Sequence, residues 1–205
     1  MPANSKTKVT ILTLRRHKRT KEKTCLVTAY DYPQALIADK SKVDAILVGD
    51  SAGMTTHGYK NTIPVTMDEM ENHCKAVSRG AKDAFLIGDM PYMSYQPSNE
   101  IAVNNAGRFI KAGMDCVKVE GAMIDRVKAI VDSGIMVMSH LGLTPQSVHV
   151  FGGFKVQGRE ASQAEKLLSE AKALEEAGIQ LLVLECVPSS LGKAVSEALT
   201  IPVIG

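Results

Sequence analysis

Short apolar, β-branched runs alternate with helix-like segments along nearly the whole chain. A strand that is apolar throughout, rather than at every second residue, is covered on both faces, and this is typical of a parallel sheet flanked by helices. The connections are short, as in repeated β-α-β units. The seven predicted strands are 24–31, 45–51, 84–91, 116–121, 135–142, 181–188 and 201–205. The pattern predicts one α/β domain over residues 1–205, without a linker or a second domain.

The clearest predicted helix lies before the sixth strand, in the sequence SQAEKLLSEAKALEEAG. We expect Ser162 to cap its N terminus, with Glu165 three residues later, and Gly178 to end it. The helix before the fourth strand is likewise expected to end at Gly113. The apolar positions that recur at helical spacing are Leu167, Leu168, Ala171 and Leu174.

Chemically capable side chains stand at the ends of strand after strand, and they favour a (β/α)8 TIM barrel over an open doubly wound sheet. In such a barrel the active-site groups come from the C-terminal ends of several strands. The first β-α turn carries no G-x-G-x-x-G sequence, which weakens a dinucleotide-binding fold. One such residue alone could be a helix cap or a loop residue with satisfied hydrogen bonds. The set is Asp50, Ser51, Asp89, Lys118, Glu120, His140 and Glu185.

The strand count is one short of a full barrel. Eight strands usually need about 250 residues, whereas the chain has seven predicted strands in 205 residues. Residues 201–205 end within or just after an apolar run. We therefore expect a barrel without its final strand and helices, in either a truncated sequence or a shortened natural product.

Composition excludes several classes of partner. A net charge of +2 with 22% charged residues makes no general case for nucleic acid or a membrane surface, and no apolar run approaches the ~18 residues that span a bilayer. Four scattered cysteines predict buried, reduced thiols in a cytoplasmic protein, against the alternatives of disulfides or a metal site. Residues 1–21 contain no acidic residue, which fits either a transit peptide or a basic helix that covers one end of the domain.

Asp50, Asp89 and Glu120 are three hard oxygen ligands without a Cys/His cluster at zinc spacing, and such a set suits Mg²⁺. The alternative is that they point into separate loops and bind nothing. Lys118 shares a strand face with Glu120, where it would meet an anionic substrate such as a 2-oxo acid. Mg²⁺ would polarise that acid and stabilise its enolate.

Glu185 follows a strongly apolar run, a setting that suits a general base acting on carbon, although a structural ion pair is the alternative. His140 is expected either to orient the substrate or relay a proton, or to be a hydrogen-bonded core histidine.

Long sequence blocks from about Thr10 to Gly205 resemble the ketopantoate hydroxymethyltransferase family. These blocks are TAYDYPQA, LVGDSAGM, HGYKNTIPVT, VKVEG, SHLGLTPQSV, FGGFKVQGR and LLVLECVP. The resemblance implies a TIM barrel of the phosphoenolpyruvate mutase/isocitrate lyase superfamily. It also implies transfer of a hydroxymethyl group from 5,10-methylenetetrahydrofolate to 2-oxoisovalerate, which gives ketopantoate on the way to pantothenate and coenzyme A. A cytoplasmic, Mg²⁺-dependent homodecamer is implied as well.

Residue by residue, the resemblance matches Asp50 and Asp89 to the Mg²⁺ ligands and Glu120 to a third carboxylate of that site, directly or through water. Glu185 matches the base that takes the C3 proton. The positions that hold the 2-oxo acid are Asp50, Ser51, Asp89 and Lys118, to which His140 is added from its place at a strand end.

Two departures from the family pattern matter. Ser139 stands where the family often has glycine, and the family continues beyond residue 205 with an eighth strand and C-terminal helices. The competing readings are a catalytically impaired barrel and another Mg²⁺-dependent 2-oxo-acid lyase or mutase.

Overall fold

The computed structural model describes residues 8–205. Its sheet is parallel throughout, and the strands are hydrogen-bonded in the order of the chain, from β1 to β7. The strands are β1 (Leu26–Thr28), β2 (Ala45–Val48), β3 (Phe85–Asp89), β4 (Cys116–Glu120), β5 (Val137–Gly142), β6 (Leu181–Glu185) and β7 (Val203–Ile204). All seven predicted strands are confirmed, each shorter than its apolar run. The sheet curls into a nearly closed barrel, and within residues 8–205 no strand pairing joins β7 to β1.

Helices connect the strands and lie outside the barrel, apart from the first. They are α1 (Ile11–Thr20), α2 (Tyr32–Lys40), α3 (Ala52–Thr55), α4 (Met67–Gly80), α5 (Asn99–Lys111), α6 (Ile124–Asp132), α7 (Val148–Phe151), α8 (Ala161–Glu176) and α9 (Ser189–Ala198). Gly113 and Gly178 follow α5 and α8 with φ of +98° each, so both predicted helix ends are confirmed. The predicted cap at Ser162 is wrong, because the chain is already helical at Ala161 and Glu160 takes the cap position.

Alternate residues of the strands form two apolar layers. One layer faces the barrel interior and includes Phe85, Ile87 and Met138. The other packs against the surrounding helices, and Ile46 and Val119 belong to it. Both faces of β3 and β4 are buried along their whole length, which confirms the reading of continuous apolar runs as doubly covered strands.

Helix α1 closes the N-terminal end of the barrel. Its Leu14 is fully buried and packs with the interior layer, together with Val9 just before the helix. The Lys8 ammonium lies 2.7 Å from an Asp115 carboxylate oxygen, which ties this segment to the start of β4. The prediction of a basic helix covering one end of the domain is confirmed from Ile11 onward, and residues 1–7 of that segment lie outside the described residues.

The four cysteines are free thiols, of which Cys74 and Cys116 are buried whereas Cys25 and Cys186 are exposed. The expectation of burial is therefore wrong for the two that stand at strand ends. Across residues 8–205, no helix combines the length and the apolar content that crossing a bilayer requires.

Candidate active site

The strand register brings the predicted site residues to the C-terminal end of the barrel. In the parallel ladders, Asp89 of β3 pairs with Lys118 of β4, and Glu120 pairs with His140 of β5. Because side chains alternate along a strand, these four point into the barrel interior with Met138 rather than toward the helices. All four are buried. The convergence expected from the strand ends is therefore present.

Asp50, Asp89 and Glu120 form a carboxylate cluster. One oxygen of each lies within 4.8 Å of the others, and all three residues are buried. The backbone N–H of Asp50 donates to Asp89 Oδ2 at 3.1 Å, so the turn after β2 is bound to the end of β3. A Cβ at Gly49, just before this turn, would lie 2.7 Å from Ser51 Oγ, so a side chain there would displace the Ser51 hydroxyl. The alternative of three separate, unrelated carboxylates does not fit this geometry.

Lys118 is the cation closest to the cluster. Its Nζ lies 2.7 Å from Asp89 Oδ1 and 3.2 Å from Glu120 Oε1. Burial opposes its charge, but the attraction of Asp89 and Glu120 outweighs burial and raises the pKa of Lys118, so the ammonium stays protonated. One buried positive charge thus faces three buried carboxyl groups.

The pKa values of the three carboxyl groups reflect both their burial and this imbalance of charge. Burial, followed by repulsion from Asp89, raises the pKa of Asp50 to about 8. Burial also raises the pKa of Asp89. For Glu120 burial acts in the same direction, but Lys118 and His140 outweigh it and lower its pKa to about 2. The hard oxygen donors and the excess of negative charge fit a small divalent cation such as Mg²⁺.

His140 bridges the cluster and Glu185. Its Nδ1 lies 3.4 Å from Glu120 Oε1 and its Nε2 lies 3.3 Å from Glu185 Oε2, yet neither nitrogen reaches hydrogen-bond geometry. Burial and Lys118 lower the pKa of His140, and the two carboxylates reverse this and raise it overall. A buried imidazole between two carboxylates is a place where a proton can be held close to both.

Glu185 lies at the open end of the barrel. Its side chain is 43% exposed, so the apolar run of β6 leads to this carboxylate but does not enclose it. Glu185 is the last residue of β6, and its side chain leaves the packed interior there.

Two residues that the sequence analysis missed organise the cluster. The Gln146 side-chain amide donates to Asp50 Oδ2 and to the Met90 carbonyl, both at 2.9 Å, while its backbone N–H donates to Glu120 Oε2 at 2.9 Å. The Tyr95 hydroxyl donates to Gln146 Oε1 at 2.8 Å and accepts from the Glu120 N–H at 3.0 Å. The only signal for Gln146 in the sequence was its position shortly after β5, and no signal distinguished Tyr95 from other tyrosines in loops.

Ser51 and Ser139 occupy different surroundings. Ser51 follows Asp50 at the mouth of the barrel, where its Oγ lies 2.8 Å from the Tyr30 hydroxyl oxygen. Ser139 shares the helix-facing side of β5 with Val137, is fully buried, and its Oγ has no hydrogen-bond partner. Ser139 therefore points away from the carboxylate cluster.

Comparison with known proteins decides the family. Residues 8–205 match the family model described as ketopantoate hydroxymethyltransferase. The chain belongs to this family. Proteins named 3-methyl-2-oxobutanoate hydroxymethyltransferase from Alteromonas mediterranea and Syntrophomonas wolfei are 60% and 52% identical to it, each over 97% of this chain. The chain spans 75% and 73% of their respective lengths.

Solved structures agree on the barrel. 2,3-Dimethylmalate lyase, a member of the PEP mutase/isocitrate lyase superfamily, matches with a TM-score of 0.68 at 16% identity, over 94% of this chain and 70% of its own. Oxaloacetate acetylhydrolase matches with a TM-score of 0.67 at 12% identity, over 91% and 67%. At these identities the likeness concerns the fold alone. This ketopantoate hydroxymethyltransferase family member thus has the barrel expected from its strand pattern.

Proposed function

We propose that this chain catalyses the transfer of a hydroxymethyl group from 5,10-methylenetetrahydrofolate to 2-oxoisovalerate (3-methyl-2-oxobutanoate). The products would be ketopantoate and tetrahydrofolate, with water supplying the hydroxyl oxygen, as the first step toward pantothenate and coenzyme A. The observation that carries the proposal is the carboxylate cluster with Lys118, connected through His140 to Glu185 at the open end of the barrel. The names of relatives 60% and 52% identical to the chain support it.

The cluster residues Asp50, Asp89 and Glu120 would hold Mg²⁺. When bound, Mg²⁺ supplies Lewis-acid polarisation of the carbonyl of a 2-oxo acid, which acidifies the neighbouring C–H bond. Gln146 contacts both Asp50 and Glu120, so it positions two of these carboxylates before any ligand arrives. Preorganised ligands of this kind avoid reorganisation during the reaction.

Lys118 and Ser51 would bind the substrate. The protonated Lys118 ammonium is the buried cation beside the cluster, so it is suited to attract the substrate carboxylate. The Ser51 hydroxyl, which shares a hydrogen bond with Tyr30 at the mouth of the barrel, can donate to a substrate oxygen. A hydroxyl just after β2 and an ammonium on β4, with β3 between them, match the two ends of a 2-oxo acid group.

Glu185 would take the proton from C3 of 2-oxoisovalerate. Its partly exposed carboxylate can reach a substrate that enters from the open end, and His140 Nε2 lies 3.3 Å from it. Water breaks both C–N bonds of the folate methylene carbon, which leaves formaldehyde and tetrahydrofolate with a proton on each released nitrogen. The C–H electron pair then forms the new C–C bond to the formaldehyde carbon as its C=O π bond opens, and the resulting alkoxide takes the proton back from Glu185. General bases of this kind contribute about 10²–10⁴-fold to rate.

The first step can be tested without folate, by following the loss of the C3 proton signal of 2-oxoisovalerate in D₂O with Mg²⁺ by NMR. We expect exchange with the unmodified chain and none with Asp50→Ala. Glu185→Gln should also lose exchange while it keeps Mg²⁺ binding, because it removes the base and leaves the carboxylate cluster intact. A cooperatively folded chain that shows no exchange would contradict the proposal for this chain.

We also propose that the chain works in the cytoplasm as a homo-oligomer, as its family resemblance implies. Light scattering after gel filtration tests the assembly, and a single monomeric peak at micromolar concentration would contradict it.

A further inference from the structure

A pair of histidines lies beside the candidate active site and outside the roles proposed above. His57 follows the short helix α3, and His73 lies within α4. Their Nε2 atoms are 2.9 Å apart. His57 is exposed and His73 is half-buried, so the pair opens to solvent.

The surroundings of His73 determine which of its nitrogens carries the proton. Its Nδ1 lies 2.6 Å from the Tyr30 carbonyl oxygen, which can only accept a hydrogen bond. The proton of the neutral ring is therefore on Nδ1, and the lone pair of Nε2 points toward His57. A backbone carbonyl that binds the far nitrogen in this way is the usual support of a metal-binding histidine, because it sets the tautomer and raises ligand basicity.

His57 is also held in place. Its ring stacks on Tyr59, with centroids 5.5 Å apart and an interplanar angle of 20°. The Tyr59 hydroxyl in turn donates to Glu69 Oε1 at 2.8 Å, and Glu69 completes the capping box at the start of α4. Both rings are thus positioned by contacts anchored to the same helix.

The separation of the two nitrogens matches a shared metal ion. Metal–nitrogen bonds of about 2.0–2.1 Å that meet at a right angle place the two nitrogens about 2.9 Å apart. Right-angled imidazole pairs occur in the square-planar or octahedral coordination of ions such as Ni²⁺ and Cu²⁺. Among residues 8–205, the only group of three or more His, Cys, Asp or Glu ligands is the carboxylate cluster, so water would fill the remaining positions at the pair.

We propose that His57 and His73 form a two-histidine site for a divalent transition-metal ion, separate from the carboxylate cluster. On binding, the Nε2 proton of His57 moves to its Nδ1, so both Nε2 lone pairs face the ion and no net proton is lost. The ion is connected to the barrel mouth through His73, since the Tyr30 residue that His73 anchors also contacts Ser51.

Ni²⁺ is the suitable probe, because Cu²⁺ would oxidise the exposed thiols of Cys25 and Cys186. The protein is first saturated with Mg²⁺ to fill the carboxylate cluster, and Ni²⁺ is then titrated by calorimetry. We expect one equivalent to bind. Removing even an outer-shell partner of a metal site typically costs 10–100-fold in affinity, so His57→Gln and His73→Gln should each weaken binding by at least tenfold.

The variants separate a metal site from a plain hydrogen bond. A glutamine at position 57 can still donate to His73 Nε2 but is a poor nickel ligand, so His57→Gln should keep its thermal stability and lose Ni²⁺ binding. His149→Gln changes an exposed histidine elsewhere and should bind like the unmodified chain. Ni²⁺ binding of equal affinity in His57→Gln, or no binding to the unmodified chain, would overturn the proposal.

Discussion

Replacing Gln146 with methionine tests whether one buried amide organises the candidate active site. Gln146→Met keeps the length and approximate volume of the side chain and retains the backbone N–H bond to Glu120. It removes both donors of the side-chain amide, which bind Asp50 Oδ2 and the Met90 carbonyl at 2.9 Å. The acceptor for the Tyr95 hydroxyl is lost too, although that hydroxyl keeps its contacts with Glu120.

Two buried acceptors are left without partners, the Asp50 carboxylate oxygen and the Met90 carbonyl. An unsatisfied buried polar group costs about 1–3 kcal/mol. After allowance for the apolar contacts of the new methionine, we expect a loss of about 3 kcal/mol in the free energy of unfolding. In a chain of this size 1 kcal/mol corresponds to about 2–4 °C in Tm, so Tm should fall by about 6–12 °C.

Thermal melts in EDTA measure this loss, and calorimetry measures Mg²⁺ binding. Since Asp50 loses the hydrogen bond that orients it, we expect Mg²⁺ affinity to fall about tenfold, or about 1.4 kcal/mol. Gln96→Met is the matched control, because the half-buried side-chain amide of Gln96 donates to Gln146 at 3.1 Å and accepts from the Tyr95 N–H at 3.4 Å, but contacts no carboxylate of the cluster. Gln146→Met with the Tm and Mg²⁺ affinity of the Gln96→Met control would refute the positioning role.

Three further predictions each concern one residue. A proton on Asp50, whose pKa is raised to about 8, competes with Mg²⁺. The Mg²⁺ affinity measured by calorimetry should therefore fall about tenfold per pH unit below pH 8. An affinity that stays constant from pH 9 to pH 6 would contradict this. Ser139→Ala should raise the free energy of unfolding, measured with urea, by about 1 kcal/mol, because the buried hydroxyl has no hydrogen-bond partner. An unchanged or lower free energy of unfolding would contradict this prediction. Gly142→Ala should cost more than about 2 kcal/mol, since φ is +90° and the new Cβ would lie 2.3 Å from the Glu185 carbonyl. By contrast, a Cβ at Gly107, which lies within α5, would meet no atom within 4 Å, so Gly107→Ala should raise the free energy of unfolding by up to about 1 kcal/mol. Equal stabilities of the two variants would be inconsistent with the clash at Gly142.

Local sequence patterns accounted for the elements but not for all of their ends. Gly113 and Gly178 ended their helices as expected, because a left-handed residue after a helix favours glycine wherever it occurs. Ser162 did not cap α8, since capping depends on where the preceding loop enters the helix, and Glu160 rather than Ser162 is the last residue before the helix. The exposure of Cys186 was missed for a similar reason, because it stands just beyond the last residue of β6.

What the sequence by itself determined is the parallel barrel and the end of it that carries the chemistry. Continuous apolar runs require strands covered on both faces, and alternation along β4 places Lys118 and Glu120 on one side. Parallel strands bring their C-terminal residues to one face, which is enough to gather Asp50, Asp89 and Glu120 without knowledge of any long-range contact.

Only the tertiary structure decided how those groups interact. The register of the ladders places Glu120 opposite His140, and a shift of one residue would have separated them. Gln146 meets Asp50 across 96 positions of sequence, and Tyr95 meets Gln146 across 51. Such contacts depend on how loops fold back over the barrel end, whereas periodicity describes only neighbours along one strand or helix. The unequal pKa values of the carboxyl groups likewise arise from burial and distance in the folded chain.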